Sequence, residues 1–182
     1  VGIQAGKTTQ GASSVAVGQY AGLTTQGAQS VAIGQEAGKT SQGGATVAVG
    51  VNAGRTSQGG YSISVGVNSG FDAQGNSSIA VGKGAGFSAQ GASSVAIGQD
   101  AGYNNQAIYA VAMGYQAGMG SATVGDFQGA NAVAIGYTAG KTTQGADSVA
   151  VGVNAGQTTQ GYSSVAIGQN AGNNRSEERR VG

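Results

Sequence analysis

SVAVGQYAGLTTQGAQ, residues 14–29, is one copy of a sixteen-residue unit that recurs through nearly the whole chain. Each unit has a glycine directly after a short apolar triplet, which we call the anchor glycine, and a second glycine four residues later. The anchors are Gly2, Gly18, Gly34, Gly50, Gly66, Gly82, Gly98, Gly114, Gly136, Gly152 and Gly168. Self-similarity at a fixed period predicts a repeat architecture in which every unit adopts the same local fold.

Each unit predicts two short strands and two turns. Val15-Ala16-Val17 places β-branched residues at alternate positions, a pattern typical of an extended segment. Thr24-Thr25-Gln26 predicts a second, more polar strand, and glycines at the corners permit tight turns. Helix is not expected, because the chain contains 37 glycines in 182 residues, and each would cost a helix about 1 kcal/mol relative to alanine.

A unit this small cannot bury an apolar face by itself, so the units must stack with equivalent residues about 4.8 Å apart. The predicted fold class is therefore all-β, a parallel β-solenoid or β-roll of about eleven 16-residue coils. Residues 1–172 form the repeat domain in this interpretation. Residues 173–182 are a charged, non-repeat tail, for which a polar cap, the start of a stalk and a sequence artefact are the alternatives.

The apolar strand has two different faces. Val15 and Val17 share one face with their equivalents in the other units, and this face is expected to line the coil interior or an interface. Ala16 and its equivalents form the opposite face, where small residues suggest close packing against a partner chain. The alternative is a wide monomeric coil in which alanine only accommodates a tight turn.

Three further features are candidates for special roles. A glutamine recurs in every connecting segment and predicts a structural ladder of stacked amides, formed by Gln10, Gln26, Gln42, Gln58, Gln74, Gln90, Gln106, Gln128, Gln144 and Gln160. Phe71, Phe87 and Tyr103 share one position in three consecutive units and predict an aromatic stripe, either shielding a corner or gripping a sugar ring or receptor. The repeat is interrupted once, and the candidate recognition loop there is Met119, Gly120, Ser121, Ala122, Thr123, Val124, Gly125, Asp126 and Phe127, which adds six residues.

The recurring motif resembles a known family of head repeats. Ser30-Val31-Ala32-Ile33-Gly34, Ser94-Val95-Ala96-Ile97-Gly98 and Ser164-Val165-Ala166-Ile167-Gly168 are similar to the head repeats of YadA-type trimeric autotransporter adhesins. Similar repeats occur in viral tail-fibre and surface-fibre proteins. The resemblance implies a homotrimer of left-handed β-rolls, displayed at a cell or virion surface for attachment. The unit here is longer than the typical head repeat, and its Thr-Thr-Gln-Gly half is more regular.

The composition argues against several other functions. A net charge of +1 leaves no basic stripe for nucleic acid. Histidine and cysteine are absent, and Glu36 and Asp100 occupy equivalent positions four coils apart, about 19 Å, so neither paired-carboxylate catalysis nor a metal site is expected. Gly38-Lys39-Thr40 has too few residues after Gly34 to form a phosphate-binding loop. No cofactor is expected, and no apolar run is long enough for membrane contact.

The sequence therefore predicts a non-enzymatic structural or attachment protein at a cell, extracellular or virion surface, the head or shaft of an adhesin or fibre. The expected partners are further copies of the chain, in a homotrimer, and a host receptor or glycan. The main alternative is a purely structural spacer or matrix filament that binds no receptor. Ice binding is a less favoured alternative, based on the Thr-Thr and Thr-Ser pairs. These pairs are interrupted at Asp72-Ala73, Ser88-Ala89, Asn104-Asn105 and Asp126-Phe127.

Overall fold

The computed structural model describes residues 1–121 and 127–173, which form strands and turns with no helix. The strands of the apolar triplets are β2 (Val15–Val17), β4 (Val31–Ile33), β6 (Val47–Val49), β8 (Ile63–Val65), β10 (Ile79–Val81), β12 (Val95–Ile97), β13 (Val111–Met113), β14 (Val133–Ile135), β16 (Val149–Val151) and β18 (Val165–Ile167). The polar strands are β1 (Thr9–Gln10), β3 (Thr25–Gln26), β5 (Ser41–Gln42), β7 (Ser57–Gln58), β9 (Asp72–Gln74), β11 (Ser88–Gln90), β15 (Thr143–Gln144) and β17 (Thr159–Gln160).

All paired strands in the described residues run parallel, and equivalent residues of successive coils lie side by side. The ten apolar strands form one continuous sheet, whereas the polar strands form a six-stranded and a two-stranded sheet. Single bridges from Gln106 to Gln128 and from Gln128 to Gln144 continue the polar ladder between them. Val95 pairs with Val111 and Val111 with Val133, so the ladder stays in register past the insertion. The predicted parallel β-solenoid is confirmed.

The sheet has ten apolar strands although eleven anchor glycines occur in the sequence. The first anchor, Gly2, follows only Val1, so this pair supplies the end of a strand and not a complete one. Val1 still joins the ladder, since its carbonyl accepts a 2.8 Å hydrogen bond from the Gly18 N–H. The solenoid therefore has about ten complete coils.

The anchor glycine and the second glycine of each unit are required for different structural reasons. Gly82, an anchor, adopts a φ of +130°, and a β-carbon there would lie 2.6 Å from the carbonyl oxygen of Gly98 in the next coil. Gly86, a second glycine, adopts a φ of +53°, and a β-carbon there would lie 2.7 Å from Oε1 of Gln90. The anchor thus allows coils to stack at strand spacing, while the second glycine makes room for the buried glutamine.

The alanine face of the apolar strand fills the coil, which corrects the sequence-based expectation that it meets a partner. Ala32, Ala48, Ala96 and their equivalents are buried within the single chain, whereas the flanking valines and isoleucines are half-buried or exposed. The reason is the narrow cross-section. A β-carbon on Gly102, across the coil, would lie only 3.3 Å from the Ala96 β-carbon, so no larger side chain fits between the walls.

The interior consists of small and polar side chains in continuous rows. A second alanine row, represented by Ala101, lies beside the first, and the largest fully buried side chains are glutamine, threonine and serine. Ser94, buried with its equivalents, donates its hydroxyl to the Gly91 carbonyl at 2.7 Å. With so little apolar volume inside, hydrogen bonds between coils and dense packing of small groups hold the rod together.

Candidate interaction surfaces

The outward side of the ten-stranded sheet is an apolar surface, which we call the apolar face. It consists of two rows of side chains. The first row is Val15, Val31, Val47, Ile63, Ile79, Val95, Val111, Val133, Val149 and Val165. The second row is Val17, Ile33, Val49, Val65, Val81, Ile97, Met113, Ile135, Val151 and Ile167. Individual exposures include 44% for Val15 and 38% for Ile135, and neither row contains a charged or polar residue.

The apolar face is long and narrow. Three residues per strand give the face a width of about 10 Å, and ten strands give it a length of about 43 Å. The exposed column that follows the anchor glycines widens the surface in places, since it includes Val51, Val67 and the stacked pair Tyr115 and Tyr137. A surface of this extent is at the upper end of what soluble monomers leave exposed and is typical of an interaction site.

The recurring glutamine bonds mainly to the backbone. Nε2 of Gln128 donates to the Val111 carbonyl at 2.7 Å and to Oε1 of Gln144 at 3.2 Å. Amide-to-amide bonds join Gln90 to Gln106, Gln106 to Gln128, Gln128 to Gln144 and Gln144 to Gln160. Sequence reasoning anticipated stacked amides but missed the carbonyl partner, because that carbonyl becomes a neighbour only when the coil closes. This geometry suits a structural role.

Several glutamine oxygens have no hydrogen-bond donor. Oε1 of Gln26, Gln42, Gln58 and Gln90 is buried without a partner, and each of these atoms lies against the second glycine of its own coil. A contact between a glycine Cα–H and an amide oxygen is weakly favourable. These oxygens are enclosed by backbone and do not open to a ligand.

Phe71, Phe87 and Tyr103 form a face-to-face stack along the rod. The ring centroids are 4.8 Å and 4.7 Å apart, with interplanar angles of 7° and 2°. The Arg55 guanidinium lies 5.2 Å from the Phe71 centroid and covers the outer face of that ring. A sugar that stacks on an aromatic ring needs an open face, and this stripe presents mainly edges. The geometry favours corner shielding, and recognition by the stripe stays a prediction.

A charged cluster continues the same edge of the rod. Nε of Arg55 donates to Oε2 of Glu36 at 2.7 Å, and Nζ of Lys39 lies 3.2 Å from the same oxygen. Lys39 also lies 5.5 Å from the centre of the Tyr20 ring. The hydrogen bond from Arg55 lowers the pKa of Glu36, partial burial opposes this effect, and Lys39 lowers the pKa further. Lys39 is therefore neutralised by a carboxylate and is not presented to a phosphate.

The lowered pKa of Glu36 predicts a small loss of stability in acid. The ion pair contributes fully above the ordinary pKa of glutamate, about 4.3, and its contribution is lost as the pH falls through the lowered value. We expect Glu36→Gln to be less stable than the parent near neutral pH by at most about 1 kcal/mol, because the pair is partly exposed. Urea unfolding of Glu36→Gln and of the parent, from neutral pH down to about pH 2, measures the difference in their free energy of unfolding. A difference that stays constant over this range would contradict the ion pair as the cause of the lowered pKa.

The candidate recognition loop is described only at its ends, and residues 122–126 lie outside the described residues. Met119 continues the coil, since its carbonyl accepts a 2.8 Å bond from the Asn104 N–H, and the Gly120 N–H donates to the Lys141 carbonyl. Phe127 is 40% exposed, and its carbonyl accepts from the Gln144 N–H at 3.0 Å. The insertion therefore lies between two ends that keep the ladder bonds, and recognition by the loop stays a prediction.

Alternation along an extended strand predicts that only one threonine of each adjacent pair faces outward, and the structure differs from this expectation. Thr24 and Thr25 are both exposed, because Thr24 lies in the bend before a strand of only two residues. The row of threonines along the rod is nevertheless interrupted, since Ala73, Ala89 and Asn105 adopt left-handed conformations with φ of 54°, 52° and 48°. These changes break the regular spacing that ice binding would need.

The remaining polar groups form no concentrated site. Glu36 and Asp100 occupy equivalent corners of separate coils, and no group of three or more possible metal ligands occurs within residues 1–121 and 127–173. No helix in this described part of the chain is long and apolar enough to cross a membrane. The surfaces that remain as interaction candidates are thus the apolar face and the edges beside it.

Comparison with known proteins agrees with the geometry at the C-terminal coils. The model of the YadA head domain repeat matches in two overlapping copies, residues 128–155 and 144–171. No curated protein and no solved structure matches the chain. The matched residues contain β14, β15, β16, β17 and β18, which pair in the same register as the coils before them. Residues 128–171 therefore match YadA-type head repeats, and the coils before them continue the same motif in the same register.

Proposed function

We propose that this protein is the non-enzymatic head or shaft of a surface attachment fibre and that it assembles as a homotrimer through the apolar face. The observation that carries the proposal is the row of outward valine and isoleucine side chains on a ten-stranded sheet. These side chains do not fill the coil, and water is a poor environment for them. A second copy of the same surface is a suitable partner, since it is equally apolar and uncharged.

The energy available from the apolar face is sufficient for association. Burying the exposed fraction of one valine or isoleucine contributes roughly 0.5–1 kcal/mol. The twenty side chains of the two rows therefore supply a total of the order of the 4–15 kcal/mol that association costs. Rotation about the long axis of the rod places equivalent coils of each chain at the same level, so the rows can meet along their full length.

The trimer, the left-handed coil and the surface location rest on the YadA-type resemblance. In the proposed assembly, residues 1–172 form one repeat domain with a six-residue insertion in the 119–127 region, and residues 173–182 are a non-repeat tail. Attachment distinguishes a head from a spacer. An adhesive head binds a cell surface or matrix component saturably as an isolated protein, whereas a spacer keeps its shape and binds nothing.

We expect light scattering coupled to size exclusion to give a solution mass near three times that of the chain. Val95→Asp combined with Val111→Asp should reduce the mass to that of one chain, because charges in the centre of the apolar face must lose water on association. The control is Ala89→Asp, an exposed position in the polar strand β11, one coil before Val95, which should leave the mass unchanged. A parent protein that remains a monomer at all concentrations would contradict the proposed homotrimer.

A further inference from the structure

The corner that precedes each apolar strand presents tyrosines at a regular interval. Tyr61 is 76% exposed and Tyr109 is 60% exposed, at equivalent positions two residues before Ile63 and Val111. Tyr162 is 74% exposed and lies three coils beyond Tyr109, one residue before Ser163, which is the equivalent of Tyr109. Successive tyrosines are therefore three coils apart, a spacing of about 14 Å. We call this edge the tyrosine edge.

The backbone of this corner is the same in every coil, so its side chains project in parallel. The N–H of each corner residue donates to the preceding coil, as from Ser77 to the Gly60 carbonyl at 2.9 Å and from Tyr109 to the Ala92 carbonyl at 3.1 Å. Tyr61, Ser77, Ser93 and Tyr109 all adopt a left-handed conformation, with φ of 59°, 56°, 54° and 59°. The stacking therefore fixes both the direction and the spacing of the rings.

Tyr61 and Tyr109 are costly at this position. A bulky residue is unfavourable in the left-handed region, where asparagine and aspartate are tolerated best. Asn131 and Asp147 occupy the same corner in other coils, and no described ring or cation stacks on Tyr61, Tyr109 or Tyr162. Strain at an exposed residue with no compensating burial points to a binding role.

The chemistry between the rings indicates the ligand class. Ser77 and Ser93 lie between Tyr61 and Tyr109, and Asn131 and Asp147 follow Tyr109, with the Asn131 amide donating to Asp147 at 2.9 Å. The corner positions contain no lysine or arginine, so an acidic polymer has no counter-charge here. The rings are also isolated from one another, unlike the clustered anchors of a protein interface.

We propose that the tyrosine edge binds an extended, uncharged polysaccharide chain running parallel to the rod. Each ring offers an open face for the apolar side of a sugar, and the hydroxyl and amide groups between the rings bond to sugar hydroxyls. Three sites at a fixed spacing act together on one long ligand, so a polymer binds more tightly than a single sugar. This inference deepens the proposed attachment function by giving it a ligand class.

The experiment measures retention of the full-length protein on cellulose, chitin, curdlan and β-1,4-mannan. Parent protein should bind at least one of these polymers. Tyr61→Ser, Tyr109→Ser and Tyr162→Ala should each weaken binding by about threefold to tenfold. Serine occupies the equivalent position of Tyr61 and Tyr109 at Ser77 and Ser93, and alanine occupies the equivalent position of Tyr162 at Ala92 and Ala146, so folding is preserved. Tyr20→Ser is the matched control, because Tyr20 also has a left-handed φ of 59° but lies at the other corner, after the anchor glycine.

A second variant tests the spacing without changing the composition. Tyr109→Ser combined with Ser93→Tyr moves one ring by a single coil, and we expect it to bind as weakly as Tyr109→Ser alone. Full binding by this variant, binding by none of the four polymers, or equal loss in Tyr20→Ser would overturn the inference. So would a change in solution mass of the tyrosine variants, since the rings would then be interface residues. A monomeric parent that binds the polymer would contradict only the proposed assembly.

Discussion

Gly82→Ala is expected to destabilise the solenoid by more than about 3 kcal/mol. Two effects combine at this position. The φ of +130° is one that residues with a β-carbon rarely adopt, and the new β-carbon would lie 2.6 Å from the Gly98 carbonyl oxygen. The obstructing atom is backbone in the next coil, so relief requires the two coils to separate. Urea or thermal unfolding followed by circular dichroism measures the change.

Gly44 and Gly168 allow the two causes of the destabilisation, the positive φ and the contact with the next coil, to be measured separately. Gly44→Ala should be nearly neutral, because the closest atom to a β-carbon there is 3.6 Å away. Gly168→Ala should have an intermediate cost, since Gly168 has a φ of +115° with no atom within 4 Å of the added carbon. Equal stability of the Gly82 and Gly44 variants would show that the anchor glycines are not required for stacking.

Ala96→Leu is the second change with a large expected effect. Ala96 is fully buried. A β-carbon added to Gly102, on the opposite wall of the coil, would lie 3.3 Å from the Ala96 β-carbon. Leucine adds volume where no cavity exists, and the ladder bonds on both sides resist expansion of the coil. We expect a loss of about 3 kcal/mol or more, at or beyond the usual range for overpacking.

The matched control for Ala96→Leu is Val95→Leu, one residue earlier in the same strand. Val95 points outward, so its replacement should change the free energy of unfolding by less than about 1.5 kcal/mol. Chemical unfolding of both variants at a concentration where the parent keeps one oligomeric state gives the comparison. The opposite ranking, with Ala96→Leu tolerated and Val95→Leu harmful, would mean that valine and not alanine fills the coil.

The repeat made most of the backbone predictable from sequence. Glycine at a fixed period, with β-branched residues at alternate positions before it, was enough to predict stacked parallel strands with helix absent. The insertion did not disturb this prediction, because Val111 and Val133 belong to the same motif and pair directly despite six extra residues. The candidate surfaces were less predictable, since the exposure of Tyr61 and the covered faces of Phe87 depend on neighbouring coils.

The sequence by itself determined the period, the parallel register and the places where only glycine is allowed, because each follows from local backbone geometry repeated at strand spacing. Only the tertiary structure decided which side of the apolar strand faces inward. Val95, Ala96 and Ile97 alternate between two faces of the strand. Both faces are apolar, so the pattern does not show which of them points into the coil. The closed coil is too narrow for valine, and this steric limit places alanine inside and leaves the branched side chains on the surface.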